Sequence, residues 1–462
     1  MAQTHPALTF LGAVDTVTGS RFLLDTGEAR VLVDAGLYQG LAVHRRRNWA
    51  PFPVDPRSLD HVLLTHAHLD HTGYLPRLVK DGFRGRVTCT RATAELAAIV
   101  LRDSAHLQQE DAKYANSAGF SKHHPALPLY DDGDVTKALD LLAPVDLDQT
   151  VDLSPGITVT LRNAGHILGS ATAEVHLGGH RAFFSGDLGR HRHPLLRPPA
   201  PPPETDTLVV ESTYGDRRHP DPDPDLLAEA ISRTIGRGGS VLVPAFAVDR
   251  TELVLLELRR LMRTGRIPKV PIYVDSPMAL AALDVYRRAV AEGYLELRPE
   301  ARDLMAELDG QGVHAVHDVE GSERLNRPRD PSIVISASGM ASGGRVVHHL
   351  AQQLPDRRNT VVLTGYQAEG TRGRQLVEGA RHVKIHGRYV PVRAEIVDVP
   401  DFSVHSDAQE TVEWLGRAPR PPGTVYVVHG EPAAASSLAD RISSELGWTA
   451  VVPSYGERVL VD

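Results

Sequence analysis

Three imidazoles and one carboxylate fall within six consecutive positions, His66-Ala67-His68-Leu69-Asp70-His71, and nothing else in the chain constrains its fold as tightly. The motif follows an apolar run, His61-Val62-Leu63-Leu64-Thr65, that reads as a strand. It precedes a segment, Gly73 to Lys80, that reads as a helix. A strand-to-helix turn can aim several side chains at one point, and neutral imidazoles with carboxylates at such a point suit zinc. Four fixed positions of this kind match by chance in on the order of one window in 100,000, which makes a merely solvated His-rich loop a poor rival.

Composition says which chemistry could complete the site. The only cysteine is Cys89, so an internal disulfide and a thiolate metal cluster are both excluded, and any metal must be held by histidines and carboxylates. At 462 residues and 42% hydrophobic, the chain can fill two domains, or one domain carrying an insertion. No apolar run reaches transmembrane length; Pro244 cuts the run that begins at Val241. The opening residues lack the basic lead and apolar core of a signal peptide, so the expectation is a soluble cytoplasmic protein with no membrane partner. A net charge of −8 argues against a broad, charge-driven nucleic-acid coat. It leaves room for a nucleic acid held in a local basic cleft.

The first 34 residues read as strands (Leu8 to Ala13, Arg21 to Leu24, Arg30 to Asp34) punctuated by Gly12 and Gly19. Asp34 ends a strand beside glycines, where it is either a turn residue or a partner that orients a ligating histidine. A strand over Arg86 to Thr90 and a helix from Ala92 to about Tyr114 follow, then a loop from Ser121 to Tyr130. Residues 157–184 alternate as strands. His166 and Asp187 leave these strands through glycine-flanked loops, and the six-residue motif alone cannot fill two metal spheres. Six prolines between 194 and 203 mark a stiff surface connection to the strand Thr207 to Glu211.

From about 223 the rhythm changes to alternating helices and strands, which implies a parallel-rich sheet in a second, inserted domain. Three glycine-bearing loops there could meet a phosphate: Ser336 to Arg345, Asp275 to Met278, and Gly365 to Arg374. The first has small hydroxyls (Ser336, Ser338) and Arg345 in the opening turn of a helix. A turn that merely needs glycine dihedrals explains any one of them as well. Near the end, His405 precedes a helix over 408–416. His429 follows the strand Thr424 to Val428, before Gly430.

With these motifs in order, the chain resembles the metallo-β-lactamase-fold nucleases of the β-CASP group. Their core motifs are matched by Asp34, His66 to His71, His166 and Asp187. Their three further motifs are matched by Glu211, His405 and His429. Val17 to Ser20, Pro244 to Val248, Asp275 to Ala279 and Ser338 to Arg345 are similar as well. The resemblance implies an α/β fold: an αββα metallo-β-lactamase sandwich formed by 1–211 and 393–462, with an α/β cap domain at 212–392. It implies two zinc ions, one held by His66, His68 and His166, the other by Asp70, His71 and His429, with Asp187 shared and Asp34 behind the ligands. His405 would face the scissile phosphate with Glu211 beside it. Zinc-activated water would then cut a phosphodiester to leave a 5′-phosphate and a 3′-hydroxyl.

In this group a histidine at the third motif goes with RNA, so His429 points to single-stranded RNA, cut internally, from the 5′ end, or both. Ser336, Ser338, Arg345, Arg372, Arg374 and His405 would contact it, and a homodimer fits the group. Asp249, where many relatives carry glycine, and the residues flanking His405 depart from the pattern. The alternatives are a hydrolase of a small lactam, thioester or phosphodiester on the same metal core, and a non-catalytic RNA-binding subunit. The cap and the Glu211, His405 and His429 set argue against the first, and the complete ligand set against the second.

Overall fold

The computed structural model describes residues 5–119, 123–308, 312–328 and 330–461. The chain divides into two compact units, Met1–Arg218 with His405–Asp462, and His219–Val404.

The first unit is built on two seven-stranded sheets. One runs in the order Arg458–Leu460, Ala7–Phe10, Phe22–Asp25, Arg30–Val33, His61–Leu63, Arg86–Thr90, Leu142–Val145. The other runs Ala450–Val451, Thr424–Val428, Thr207–Glu211, His180–Phe184, Ala171–Leu177, Ile157–Asn163, Thr150–Ser154. The period-two alternation of each strand decides which layer a residue enters. Phe22, Val31 and Val33 meet Leu161, Val175, Phe184 and Val209 between the sheets. Their neighbours Leu23 and Leu32 turn the other way, onto Leu75, Leu78, Leu101 and Val135 of the flanking helices. On the second sheet Leu208, Val210 and Val427 likewise meet Val412, Trp414 and Leu438. The result is an αββα sandwich, and each fully buried Leu, Val or Phe contributes about 1.5–3 kcal/mol to it.

Within each sheet the strands next to the glycine-rich loops are parallel. Arg30–Val33 pairs parallel with His61–Leu63. Thr207–Glu211 pairs parallel with both His180–Phe184 and Thr424–Val428. Side chains just past the carboxyl ends of such neighbours emerge side by side, which is where open parallel sheets place their ligands.

Local structure departs from the sequence pattern in instructive places. The helix expected over Gly73 to Lys80 runs Leu75–Lys80, and a separate single turn of helix, Leu69–Thr72, precedes it. The Tyr74 amide donates to the Ala35 carbonyl at 2.7 Å instead of continuing the first turn. The helix expected from Ala92 runs Arg91–Ala118, and Gly119 closes it at φ +65°. Of the loop expected from Ser121 to Tyr130, residues 121–122 lie outside the described residues, and the rest carries no helix or strand. A short helix, Asp132–Leu139, starts from an Asp131/Asp134 capping box.

The second unit holds a six-stranded, all-parallel sheet in the order Val313–Ala315, Ile272–Val274, Ile333–Ser336, Val241–Pro244, Thr360–Leu363, Glu395–Asp398. Its central strands are buried throughout, as expected of a parallel sheet covered on both faces. A two-stranded hairpin, His382–Ile385 with Arg388–Pro391, packs Val383 and Ile385 into the same core. Asp249 is the centre of a γ-turn: its φ is +71°, and Arg250 N–H donates to the Val248 carbonyl at 3.0 Å. A side chain at that φ is strained, so glycine is the residue this turn would hold most easily. Tyr286 Oη donates to Asp249 Oδ1 at 2.6 Å and ties the strained turn to the next helix.

Candidate metal centre

Every expected metal ligand lies in the first unit, on a loop or short helix that leaves the carboxyl end of a strand. His66 and His68 follow His61–Leu63, and Asp70 and His71 lie in the four-residue helix after them. Asp187 follows His180–Phe184, Glu211 ends its own strand, and His429 follows Thr424–Val428 at φ +52°. The backbone is packed closely enough to fix these positions. A Cβ on Gly36 would lie 1.6 Å from the Asp70 carbonyl oxygen, and one on Gly189 would lie 1.8 Å from that of Gly165, just before His166.

Two donor sets result, each with its ligand atoms within 4.8 Å of one another: His66, His68, His166 and Asp187; and Asp70, His71 and His429. The rings of His66, His68 and His166 form a nearly equilateral triangle, with centroids 5.0, 5.1 and 5.0 Å apart. Asp187 stands between the sets. Its Oδ2 is 3.4 Å from His66 Nε2 and 3.6 Å from His166 Nε2. Its Oδ1 is 3.2 Å from His71 Nε2 and 3.6 Å from His429 Nδ1. His429 Nε2 is 3.5 Å from Asp70 Oδ2 and 3.2 Å from His71 Nε2. Ligands about 2.0–2.1 Å from a tetrahedral zinc are about 3.3 Å from one another, so the separations of Asp187 from His66, His166 and His71 match the edges of such a tetrahedron, while His429, which turns Nδ1 toward Asp187 and Nε2 toward Asp70 and His71, has one nitrogen to offer an ion.

The donor chemistry fits the same cation. His66 Nε2 and Asp187 Oδ1 are buried and make no hydrogen bond. In a protein interior a polar atom in that state requires an explanation, and a metal supplies one. Burial, and then the neighbouring His71, push the His66 imidazole well below its ordinary pKa; burial pushes His68 down to about 4. Burial alone would raise the Asp187 carboxyl, but the surrounding His429, His71 and His66 hold it well below the carboxylate range. Neutral imidazoles beside ionised carboxylates are the states that bind metal. Burial opposes charge on His71 as well, yet Asp187 and Asp34 together raise its pKa well above the ordinary value. The cluster therefore calls for positive charge at its centre.

Asp34 sits behind the ligands, as expected of an orienting residue. Its Oδ2 lies 2.7 Å from His71 Nδ1, which directs His71 Nε2 into the cluster. The Thr65 amide and hydroxyl complete its bonds at 2.8 and 2.9 Å. Glu211 and His405 form a third group with Asp187. Glu211 Oε1 accepts from the Leu188 amide at 2.7 Å and lies 3.1 Å from His405 Nδ1. The His405 side chain is 14% exposed while Asp187 and Glu211 are 1% exposed, so His405 is the member of this group that solvent reaches.

Sequence reasoning missed three hydroxyls. Thr65 bonds Asp34 and lies 3.1 Å from His66 Nδ1. Thr213 Oγ1 joins Glu211 to His429, 3.2 Å from Nδ1. Ser20 Oγ is 3.3 Å from His71 Nε2. Of the three, only Ser20 carried a signal, as part of Val17 to Ser20. The residues expected to contact RNA from the inserted domain all lie in the second unit. Ser336 is buried and donates to the Asp275 carbonyl. Arg345 bonds Asp275 Oδ1 and the carbonyls of Val316 and His317. Arg372 bonds the carbonyls of Lys384, Ala341 and Ser342. Arg374 pairs with Glu378, and Ser338 is half-buried in its loop.

An αββα sandwich with this His/Asp cluster defines a metal-binding hydrolase of the metallo-β-lactamase fold. Comparison with known proteins narrows the class. A Beta-lactamase superfamily domain matches residues 29–237, a Beta-Casp domain residues 251–376, and a Zn-dependent metallo-hydrolase RNA specificity domain residues 389–453. Ribonuclease TTHA0252 of Thermus thermophilus is 37% identical over 97% of this chain and 99% of its own. An RNase J-like protein of Methanocaldococcus jannaschii is 30% identical over 97% of this chain and 98% of its own. A crystal structure of a protein of unknown function from Enterococcus faecalis shares the fold, with a TM-score of 0.52 at 12% identity, covering 99% of this chain and 100% of that one. The chain belongs to the β-CASP family of metallo-β-lactamase-fold proteins.

Proposed function

We infer that the chain is a metal-dependent ribonuclease that hydrolyses phosphodiester bonds of single-stranded RNA to leave 5′-phosphate and 3′-hydroxyl ends. The observation that carries this reading is the pair of donor sets, with Asp187 in one and 3.2 Å from His71 of the other, and the His405–Glu211 pair beside Asp187. The ribonuclease relatives, similar over nearly their whole length, support it.

His66, His68 and His166 would hold one zinc ion, Asp70, His71 and His429 a second, and Asp187 both. Bound there, the ions would lower the pKa of water toward about 7 and offset charge on the phosphate oxygens. The rest falls to the chain's own groups. Asp34 keeps the His71 proton on Nδ1, so that Nε2 remains a ligand. Thr213 does the same service for the Glu211 and His429 side chains by fixing their spacing. Glu211 Oε1 accepts from His405 Nδ1 and fixes the ring, which leaves Nε2 to carry a proton to the leaving 3′ oxygen. In the second unit, Ser336, Arg345 and Arg372 hold the 336–345 loop in shape, Arg374 is tied to Glu378, and Ser338 is offered to the RNA backbone. Contacts to phosphate position a strand without reading its sequence, so sequence preference should be modest.

The test is metal content by mass spectrometry together with digestion of a 5′-labelled single-stranded RNA, its DNA counterpart and a chromogenic lactam. Two zinc ions per chain with RNA alone cut is the expected result. His405→Ala should keep its zinc and lose about 10²–10⁴-fold in rate. Intact RNA beside rapid lactam hydrolysis, or a His405→Ala enzyme with unchanged turnover, would overturn the reading.

A further inference from the structure

The hairpin of the second unit is a local exception to the charge of the chain. Residues 381–393 hold Arg381, His382, Lys384, His386, Arg388 and Arg393 and no acidic residue, in a chain whose net charge is −8. All six are exposed. Many other exposed arginines of this unit face carboxylates, as Arg233 faces Glu395 and Arg324 faces Glu320. Among the described residues, no carboxylate lies within ion-pair distance of Arg381, Lys384, Arg388 or Arg393.

The geometry presents these cations on a rigid surface. Val383 and Ile385 turn inward to the core, so their alternates His382 and Lys384 turn outward. The register sets Tyr389 directly across from Lys384 on the same outward face, and sets Arg388 across from the inward Ile385, so Arg388 reaches solvent beside the turn, at the edge of that face. Tyr389 is 75% exposed, the most exposed large apolar side chain among the described residues. The two turn residues, His386 and Gly387, have φ of +45° and +78°, the signature of a tight two-residue hairpin. The His386 ring lies 4.6 Å from that of His348 on the neighbouring helix, and the Arg372 guanidinium ties the Lys384 carbonyl to those of Ala341 and Ser342. The hairpin is thus braced on both sides.

We propose that the outward face of the hairpin His382–Pro391 is a docking surface for single-stranded RNA: Lys384 holds a phosphate and a base stacks on Tyr389, while the exposed Arg381, Arg388 and Arg393 at its edges extend the track. The proposal rests on the ribonuclease reading above and adds to it a site that shares no residue with the metal cluster. Unpaired cations around an exposed aromatic ring are the pattern of sequence-tolerant single-strand binding. A protein partner would want an apolar patch at the centre of the interface. Here one tyrosine stands among charges, so RNA is the occupant that fits.

The experiment compares metal-loaded wild type with Lys384→Glu/Arg388→Glu and with Tyr389→Ala, on RNAs of about 30 and about five nucleotides. Loss of two phosphate contacts should lower kcat/KM on the long RNA about tenfold more than on the short one, and should flatten its dependence on salt. Tyr389→Ala should lower it about fivefold or more on the long RNA, with little change in the salt slope. Equal effects on both lengths, or none, overturn the docking surface and reassign the face to another protein. If wild type cuts neither RNA, the ribonuclease reading fails by itself. Fluorescence anisotropy of the intact chain in chelator then decides the hairpin: weaker RNA binding by the charge-reversed variant supports it, and unchanged binding rejects it.

Discussion

Asp187 in the first unit and Asp275 in the second are both buried acids just past the carboxyl end of a strand, and both have histidine neighbours. Their oxygens are treated oppositely. Asp275 Oδ1 accepts from Arg345 at 2.7 Å, and Oδ2 accepts from Ser322 and lies against His349 Nε2, each at 2.6 Å. Each neighbour brings a hydrogen. Burial by itself would raise this carboxyl, and the three bonds lower it below its ordinary value. The neighbours of Asp187 include His66 and His68, whose imidazoles are held neutral, and His66 Nε2 and Asp187 Oδ1 make no hydrogen bond; only His71, at 3.2 Å, is pushed toward the charged form, and by this same acid. A buried acid surrounded by donors is a fixed joint of the fold. A buried acid that faces neutral imidazoles and draws positive charge onto the remaining one is half of a cation site.

That contrast gives its largest expected effect at Asp187. Asp187→Ala should lose metal from both sets together and lower RNA cleavage by on the order of 10³-fold or more, several kcal/mol of transition-state stabilisation. Metal analysis and a single-turnover assay on the same preparation check it. Asp275→Ala should do the reverse. It removes the acceptor that Arg345, Ser322 and His349 share and leaves Arg345 only the Val316 and His317 carbonyls, a loss of about 3–5 kcal/mol for a buried charged pair. Its urea midpoint should fall while metal content stays at the wild-type value. Metal loss in Asp275→Ala, or full metal retention in Asp187→Ala, would erase the distinction.

How far the two acids could be told apart from sequence depends on locality. His66 to His71 is a dense local pattern, and Asp34, Asp187 and His429 mark themselves as polar residues ending apolar strands. The sandwich itself follows from alternation, as in Leu23 against Phe22 and Leu32 against Val31 and Val33. The approach of His405 to Glu211 joins residues 194 positions apart, and only the family resemblance suggested it. Thr65 and Thr213 carry no spacing signal, because a hydroxyl that completes a carboxylate's bonds is invisible until the chain has folded. Arg345 and Arg372 show the opposite problem. A cation beside a glycine-rich loop reads as an anion site, yet their guanidinium groups bond the protein's own carboxylate and carbonyls. The hairpin at 382–391 escaped because its two inward residues, Val383 and Ile385, are too few to register as a strand, and His386-Gly387 is not a usual hairpin turn pair.

A third buried acid sharpens the contrast and carries the smallest effect. Glu252, on the helix Arg250–Arg263, is 0% exposed, and neither carboxyl oxygen has a hydrogen-bond partner. In that it is like Asp187. It belongs to none of the clusters of metal-ligating groups among the described residues, so orphaned oxygens alone do not make a metal site. Burial, and then the charge of Asp249, push its carboxyl well above the ordinary value, with nearby backbone amides offsetting only part of the shift. The folded state then keeps a proton that the unfolded chain gives up above about pH 4.5. An acid whose folded pKa is raised stabilises the fold less as pH climbs from the unfolded value toward the folded one. Glu252→Gln keeps the shape of the neutral acid and removes the titration. The two proteins should therefore melt together near pH 4.5, with the variant melting a few degrees higher at pH 8. A variant that melts lower than wild type at pH 8 would mean that Glu252 is an ionised, partnered group like Asp275, and that an unpaired buried oxygen says less about Asp187 than the convergence of imidazoles upon it.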